Sequence, residues 1–248
     1  MLTEKRHEEI INLLDKKGSV TVQELKELFH TSESTIRRDL NVLHDKGVLM
    51  KVFGGAVQVE SRIHTKEETV ALKEEQNRSE KMRIAQYAAA MIQPNDFVYL
   101  DAGTTTGYMI PFLTEKSASF VTNAVSHALK LAENGFRVTL IGGEVKAATE
   151  AIVGNEAFAN LLKYNFTKGF WGANGVSQTT GFTTPDINEA MIKECAMKRT
   201  QSPYVLCDST KFHQIYPISF GDFSKSQILT DRLFDETYKR CKNVIVVP

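Results

Sequence analysis

The sequence predicts an α/β protein in two parts. A winged helix-turn-helix is expected over residues 1–60, and a larger, mostly parallel α/β domain over residues 81–248, with a linker over 61–80 between them. Three observations carry this. The first 60 residues hold three apolar stripes of helical period followed by a short hairpin. From residue 96 onward, β-rich runs alternate with helical ones. Loops rich in glycine and hydroxyl residues then fall at the ends of several of those runs.

In the N-terminal part, Ile10, Leu13 and Leu14 recur at helical spacing, and Lys16-Lys17-Gly18 reads as a stop signal. Thr21 is placed to cap a short second helix with the apolar face Val22, Leu25 and Phe29. Thr31 or Ser32 caps a third, whose buried stripe is Ile36, Leu40 and Leu43 and which Gly47 ends. Two β-like runs follow, Val48–Val52 and Ala56–Val59, joined across Gly54-Gly55, a pair that tolerates positive φ.

Residues 61 to about 93 are charged and pass from a linker into a helix with Met82, Ala85, Ala88, Ala89 and Ile92 on its apolar stripe; Pro94-Asn95 ends it. Seven strands are then expected at Phe97–Leu100, Ser119–Val121, Val138–Ile141, Gly169–Trp171, Tyr204–Leu206, Ile228–Leu229 and Val244–Val247. Their alternation with helices implies a parallel sheet covered on both faces.

Composition narrows the class. Hydrophobic residues make up 42% and charged residues 24% of 248, the profile of an ordinary globular chain. The cysteines Cys195, Cys207 and Cys241 form no C-x-x-C pair, which argues against a zinc site and fits a reducing compartment. The opening MLTEKRHEEI has no apolar signal core, and no run reaches transmembrane length, so a cytoplasmic protein without membrane contact is expected. Net charge is zero, and the first 60 residues hold nine Lys/Arg against ten Asp/Glu. A nucleic-acid-binding face must therefore come from the placement of charge, not its sum. From Ser34 to Val57 four basic residues stand against two acidic ones.

The stretch SESTIRRDLNVLHDKGVL has the form of a recognition helix. Ile36, Leu40 and Leu43 face inward, while Ser34, Thr35, Arg37 and Arg38 lie on its early, outward part, where such helices reach base edges in the major groove. Arg37-Arg38 alone would read as a solvated face; the three helices and the hairpin around them shift the reading to DNA. The candidate DNA contacts are Thr21, Ser34, Thr35, Arg37 and Arg38, with Lys51 and Gly54 on the wing.

Arg6, Ile10 and Leu14, then Ser32-x-x-Thr35-Ile36-Arg37-Arg38-Asp39-Leu40, then Gly54-Gly55-Ala56, resemble the DeoR/GlpR family of bacterial sugar-metabolism repressors. The resemblance runs through almost the whole chain and is most marked toward repressors of fructose operons. It implies a sensor domain similar in fold to ribose-5-phosphate isomerase, a phosphorylated sugar as effector, double-stranded operator DNA as partner, and a homodimer or homotetramer.

In the second part, Asp101 and Gly103-Thr104-Thr105-Thr106 lie between a strand and a helix, an arrangement that gathers backbone N–H groups for an anion. Asp101 could instead cap the helix. Thr122-Asn123, Gly142-Gly143, the loop with Asn174, and Asp208 with Lys211 fall at other strand ends, where ligands of open parallel sheets bind. Lys211 offers a point charge. The family match adds Asp186, Glu189 and Lys193, the last as a further effector contact. The loop Gly172-Ala173-Asn174-Gly175 departs from the family pattern, which often has aspartate at 174. Asparagine cannot serve as the general base an isomerase needs.

A DNA-binding repressor relieved by a phosphosugar, with fructose 1-phosphate ahead of tagatose 6-phosphate, is therefore expected. The alternative is an isomerase-like enzyme with an accessory domain. An activator on the same scaffold stays open. No catalytic constellation, metal-ligand spacing or cofactor motif is found in the sequence.

Overall fold

A computed structural model describes residues 2–45, 48–58, 63–233 and 236–248. Gly47 and Val59, expected at a helix end and in a strand, lie outside the described residues.

The N-terminal unit comprises α1 (Thr3–Lys17), β1 (Ser19–Thr21), α2 (Val22–Phe29), α3 (Glu33–Asp45), β2 (Leu49–Val52) and β3 (Gly55–Gln58). Ile10, Leu14, Leu25, Ile36, Leu40 and Leu43 bury themselves in one core, as their spacing requires. Gly18 ends α1 in the left-handed region at φ +71, its N–H donating to the Leu14 carbonyl at 2.7 Å. Ser32, not Thr31, caps α3: its hydroxyl accepts from the Thr35 N–H at 3.2 Å. Strand β1 was not expected. It pairs antiparallel with β3, giving a three-stranded sheet of order β1-β3-β2. Gly55 permits this closure, since a Cβ there would lie 2.1 Å from the Val20 carbonyl oxygen.

One ion pair fixes the recognition helix in this unit. The Arg6 guanidinium donates to both oxygens of Asp39, at 2.6 and 3.1 Å, and His7 lies 3.0 Å from the same carboxylate. Asp39 is 3% exposed and Arg6 8%. Burial works against the Asp39 charge, but hydrogen bonds from Arg6 and then His7 outweigh it and hold its pKa below the usual carboxylate range. The pair clamps the start of α1 to the middle of α3.

The second part contains α4 (Val70–Glu75), α5 (Arg78–Ala89), β4 (Phe97–Leu100), α6 (Thr104–Gly107), β5 (Ser119–Thr122), α7 (Val125–Glu133), β6 (Arg137–Leu140), β7 (Glu144–Lys146) and β8 (Ala151–Val153). It continues with α8 (Asn155–Leu161), β9 (Phe166–Gly172), β10 (Gly175–Ser177), β11 (Gly181–Thr184), α9 (Ile187–Lys198), β12 (Thr200–Leu206), β13 (Ile218–Gly221), β14 (Gln227–Thr230), α10 (Glu236–Lys239) and β15 (Val244–Val246). The seven expected strands form one parallel sheet of order β15-β14-β12-β9-β4-β5-β6. Alternate residues enter opposite cores: Tyr99, Trp171 and Val205 on one face, Leu100, Phe170 and Leu206 on the other. Small antiparallel sheets, β10-β11-β13 and β7-β8, extend from it.

Within the stretch read as a linker lies α4, where the Tyr108 hydroxyl donates to the Glu74 carbonyl at 3.0 Å. One expectation needs revising. In α5, Met82 is 38% exposed, and the buried stripe is Lys81, Ile84, Ala85 and Ala88, which spaces a lysine among apolar residues at i, i+3, i+4 and i+7.

The Arg6–Asp39 clamp generates a testable outcome. Arg6→Ala leaves a buried carboxylate without its guanidinium and should destabilise the N-terminal unit by about 3 kcal/mol. Asp39 is held below its unfolded pKa, so its contribution is present above the unfolded value and lost as pH falls through the lower folded one. Chemical denaturation of wild type and variant near neutral pH and in acid checks both; equal stability at neutral pH contradicts the clamp.

Candidate functional site

The parallel sheet has a switch point. From β4 the chain moves outward through β5 and β6, then returns to β9 on the other side and continues to β12, β14 and β15. The loops after β4 and β9 therefore diverge and leave a crevice at the carboxyl edge, the place where such sheets hold ligands. A cavity of about 60 Å³, open to solvent, lies there. Residues Ala102–Thr105 from the β4 end, Gly172–Asn174 from the β9 end, and Leu206–Asp208 with Lys211 from the β12 end line it. Thr149, Glu189 and Lys193 close one side, and Val70, Lys73 and Lys81 from α4 and α5 another.

Asp101 and Lys193 tie the floor together. The Lys193 ammonium donates to Asp101 Oδ2 and, at 3.2 Å, to the Gly172 carbonyl. The Gly172 N–H donates to the same Asp101 oxygen at 3.2 Å. Asp101 is 1% exposed, and its other carboxylate oxygen is buried with no protein partner. Burial pushes the Asp101 carboxyl above the ordinary range in spite of Lys193.

Charge in the cavity is unbalanced. Its lining holds four lysines, Lys73, Lys81, Lys193 and Lys211, against two carboxylates, Glu189 and Asp208, with Asp101 behind the lining paired to Lys193. Lys81 is 4% exposed and donates to the Lys73 carbonyl. Burial lowers its pKa from 10.5 to about 8; Asp208 opposes this, and Lys211 and Lys73 add to it. Lys73 is lowered in the same direction, mainly by burial. Both carboxylates are already engaged. Glu189 accepts from the Thr149 hydroxyl and, at 3.2 Å, from Lys146. Asp208 accepts from the Thr210 N–H at 3.0 Å, the Thr210 hydroxyl, and Asn77 Nδ2 at 3.2 Å. The cavity thus presents ammonium groups and hydroxyls, a surface complementary to an anion bearing hydroxyl groups.

The structure brings together Gly103, Thr104, Thr105, Asn174, Lys193, Asp208 and Lys211 of the residues expected at an effector site, with Asp101 just behind them. The others lie elsewhere, each for a visible reason. The Thr106 hydroxyl is turned to the backbone, its one proton shared between the Asp101 and Gly103 carbonyls, each at 2.7 Å. The Thr122 hydroxyl accepts from the Ala124 N–H at 3.1 Å. Asn123 accepts from the Tyr99 hydroxyl and the Ala102 N–H, both at 3.0 Å, and so holds the loop after β4 in place. Gly142 and Gly143 are exposed in the connection from β6 to β7, outside the cavity. The helix expected to point its dipole at an anion is the single turn α6, too short to sum a useful dipole. The lysines supply the positive charge instead. Asp186 caps α9 by accepting from the Glu189 N–H at 2.9 Å.

Lys73, Lys81 and Thr149 were missed. Lys81 had a signal: a lysine in register with the apolar stripe of α5. Lys73 and Thr149 had none, because they reach the cavity only through the docking of α4 and the β7–β8 loop.

On the N-terminal unit, the outward face of α3 carries Ser34, Arg37, Arg38 and Asn41. Arg37 is held by Glu33 at 2.7 Å one turn back, while Arg38 is exposed. Ser34 and Thr35 hydroxyls lie 2.9 Å from that of Ser32. Lys51 of the wing reaches Asn41, so wing and helix present one surface. Gly54 turns the wing at φ +84 with open space around it. Thr21 falls out of this surface: its hydroxyl is committed to the α2 capping box with Glu24, at 2.9 and 3.1 Å. Among the described residues no group of three or more His, Cys, Asp or Glu could hold a metal, and no helix is long and apolar enough to cross a membrane.

Both parts of the chain match known protein families. A model of the DeoR-like helix-turn-helix domain matches residues 6–62, and a model of the DeoR C-terminal sensor domain matches residues 76–232. The chain is similar to the uncharacterized HTH-type transcriptional regulator FruR of Bacillus subtilis, 40% identical over 248 residues, covering 100% of this chain and 98% of that one. It is 35% identical over 210 residues to the lactose phosphotransferase system repressor of Staphylococcus aureus, covering 84% and 83%. Among solved structures it is similar to ribose 5-phosphate isomerase A of Methanocaldococcus jannaschii, with a TM-score of 0.41, 15% identity and 55% of each chain covered.

For the α3 surface, Arg38→Ala should weaken specific DNA binding by about 1–3 kcal/mol, and Arg37→Ala likewise once Glu33 is displaced. Gel-shift titrations of both variants check this; wild-type affinity in both removes the base-reading assignment.

Proposed function

From the premise that the chain belongs to the DeoR family of DNA-binding transcriptional regulators, and is a regulator and not an enzyme, we propose that it represses a sugar-utilisation operon until a phosphorylated sugar occupies its sensor domain. The observation that carries the effector class is the convergence of Lys73, Lys81, Lys193 and Lys211 on one cavity at the sheet's switch point.

The charges divide the labour. The phosphate sits against Lys81 and Lys211 with the Thr104 and Thr105 hydroxyls, where buried positive charge has the most to gain from a dianion. Sugar hydroxyls face Asn174 and Lys193, with the unpartnered Asp101 oxygen behind them as an acceptor. Asn174 already accepts from the Thr184 hydroxyl at 3.2 Å, which suits a residue that orients a hydroxyl and moves no proton. The sensor domain of this reading takes in α4 as well as residues 81–248, because Lys73 belongs to its cavity. Two copies of the chain present paired α3 helices to repeated or palindromic half-sites.

Fructose 1-phosphate is the effector this reading favours, supported by the similarity to the regulator named FruR, with tagatose 6-phosphate second. Calorimetric titration of the full chain with both esters and with free fructose tests it. The esters should bind about tenfold or more tightly than fructose, the value of one charge-assisted hydrogen bond. Equal binding of fructose and its esters overturns the anion cavity; preference for another phosphosugar overturns only the choice of ligand.

A further inference from the structure

Residues 208–215 form one short segment with three neighbours. Its first side is the cavity, lined by Asp208 and Lys211. Its second is the N-terminal unit: the Thr210 carbonyl lies so close to Gly18, at the end of α1, that a Cβ on Gly18 would sit 2.4 Å from its oxygen. Its third is the chain leaving the N-terminal unit, where the His64 N–H donates to the Ile215 carbonyl at 2.8 Å and Ile63 bridges Ile215.

Between these sides the segment is internally braced. Asp208 accepts from both the N–H and the hydroxyl of Thr210, and Asn77, which starts α5, donates to Asp208 at 3.2 Å and to the Thr210 hydroxyl at 3.4 Å. Asn77 is four residues before Lys81. A shift of Lys81 or Lys211 toward a bound anion, or of Asp208 away from it, therefore moves Thr210, and Thr210 is packed against the end of the helix whose other end holds α3 through Arg6 and Asp39. Gly18 leaves no compressible side chain between them.

We propose that the turn Ser209–Lys211 is the coupling element between effector cavity and DNA-binding unit, with Thr210 and Gly18 as its positioning residues. This rests on the reading of the cavity as the effector site, but one arm of its test needs no effector. Coupling is reciprocal, so DNA must act on the cavity as the effector acts on DNA.

Hydrogen exchange of the full chain is measured with and without a duplex that the chain itself selects from a random pool. In wild type, the duplex should shift exchange in residues 208–216 and in the cavity loop 102–105, beyond the N-terminal unit. Thr210→Val, which keeps the fold's volume and removes the hydroxyl, should bind the duplex as wild type does yet lose the shift at 102–105. A second arm titrates the same duplex with fructose 1-phosphate present: the change in DNA affinity, on the order of 5- to 150-fold in wild type, should fall toward unity in Thr210→Val and in Gly18→Ala. Exchange changes confined to residues 2–58 in wild type, or an unaltered cavity response in Thr210→Val, overturn the assignment. Failure of the sugar phosphate to bind at all would instead count against the effector reading, and the exchange arm would still decide the coupling.

Discussion

The carboxyl edge of the sheet depends on the buried pair of Asp101 and Lys193. Asp101 directly follows β4, Lys193 lies on α9, and both bond to Gly172 at the end of β9. These elements meet only at the switch point, where the chain has left β4, built β5 and β6, and returned. The pair fixes the gap between the two loops. Such a pair is expensive to desolvate. Its second carboxylate oxygen remains without a protein partner, so the floor of the cavity is incomplete until a hydroxyl or water donates to it.

The cavity is in the same sense electrostatically incomplete. Lys81 is carried on a helix stripe that is otherwise apolar, and its carboxylate neighbour Asp208 is taken up by Thr210 and Asn77. Holding Lys81 charged there is unfavourable, as its lowered pKa records. A folded protein keeps such strain at sites whose ligand relieves it. The same arrangement explains why binding should be felt elsewhere: the groups that answer an anion are the groups that position the 208–215 segment.

Much of this was legible in the sequence. Seven short β-rich runs became the seven strands of one parallel sheet; in its interior a strand covered on both faces must be apolar along its length, whereas the edge strands β6 and β15 are partly or largely exposed. The three stripes of the N-terminal unit fell where helical period put them. What period cannot show is which distant segments meet. The antiparallel strands β10, β11 and β13 were missed because each is short and they pair through loops. Thr122, Asn123 and Thr106 were placed in the cavity because they sit at strand ends, but their hydroxyl and amide groups were needed to hold the backbone there. Lys81 shows the converse: its register on α5 was readable, and a lysine in an apolar stripe is a signal that it must answer to something.

The measurement that bears most directly on the charged cavity is proton exchange on binding. Calorimetric titration with fructose 1-phosphate at pH 8, repeated in buffers of different ionisation enthalpy, reports it. The ester is already dianionic at that pH, since its second acidity lies near 6. Lys81, with its pKa lowered to about 8, is only partly protonated before binding. A dianion against it should draw in up to about half a proton per site, and the uptake should vanish in Lys81→Met. Binding with no net proton uptake, or uptake that persists in Lys81→Met, would contradict the account.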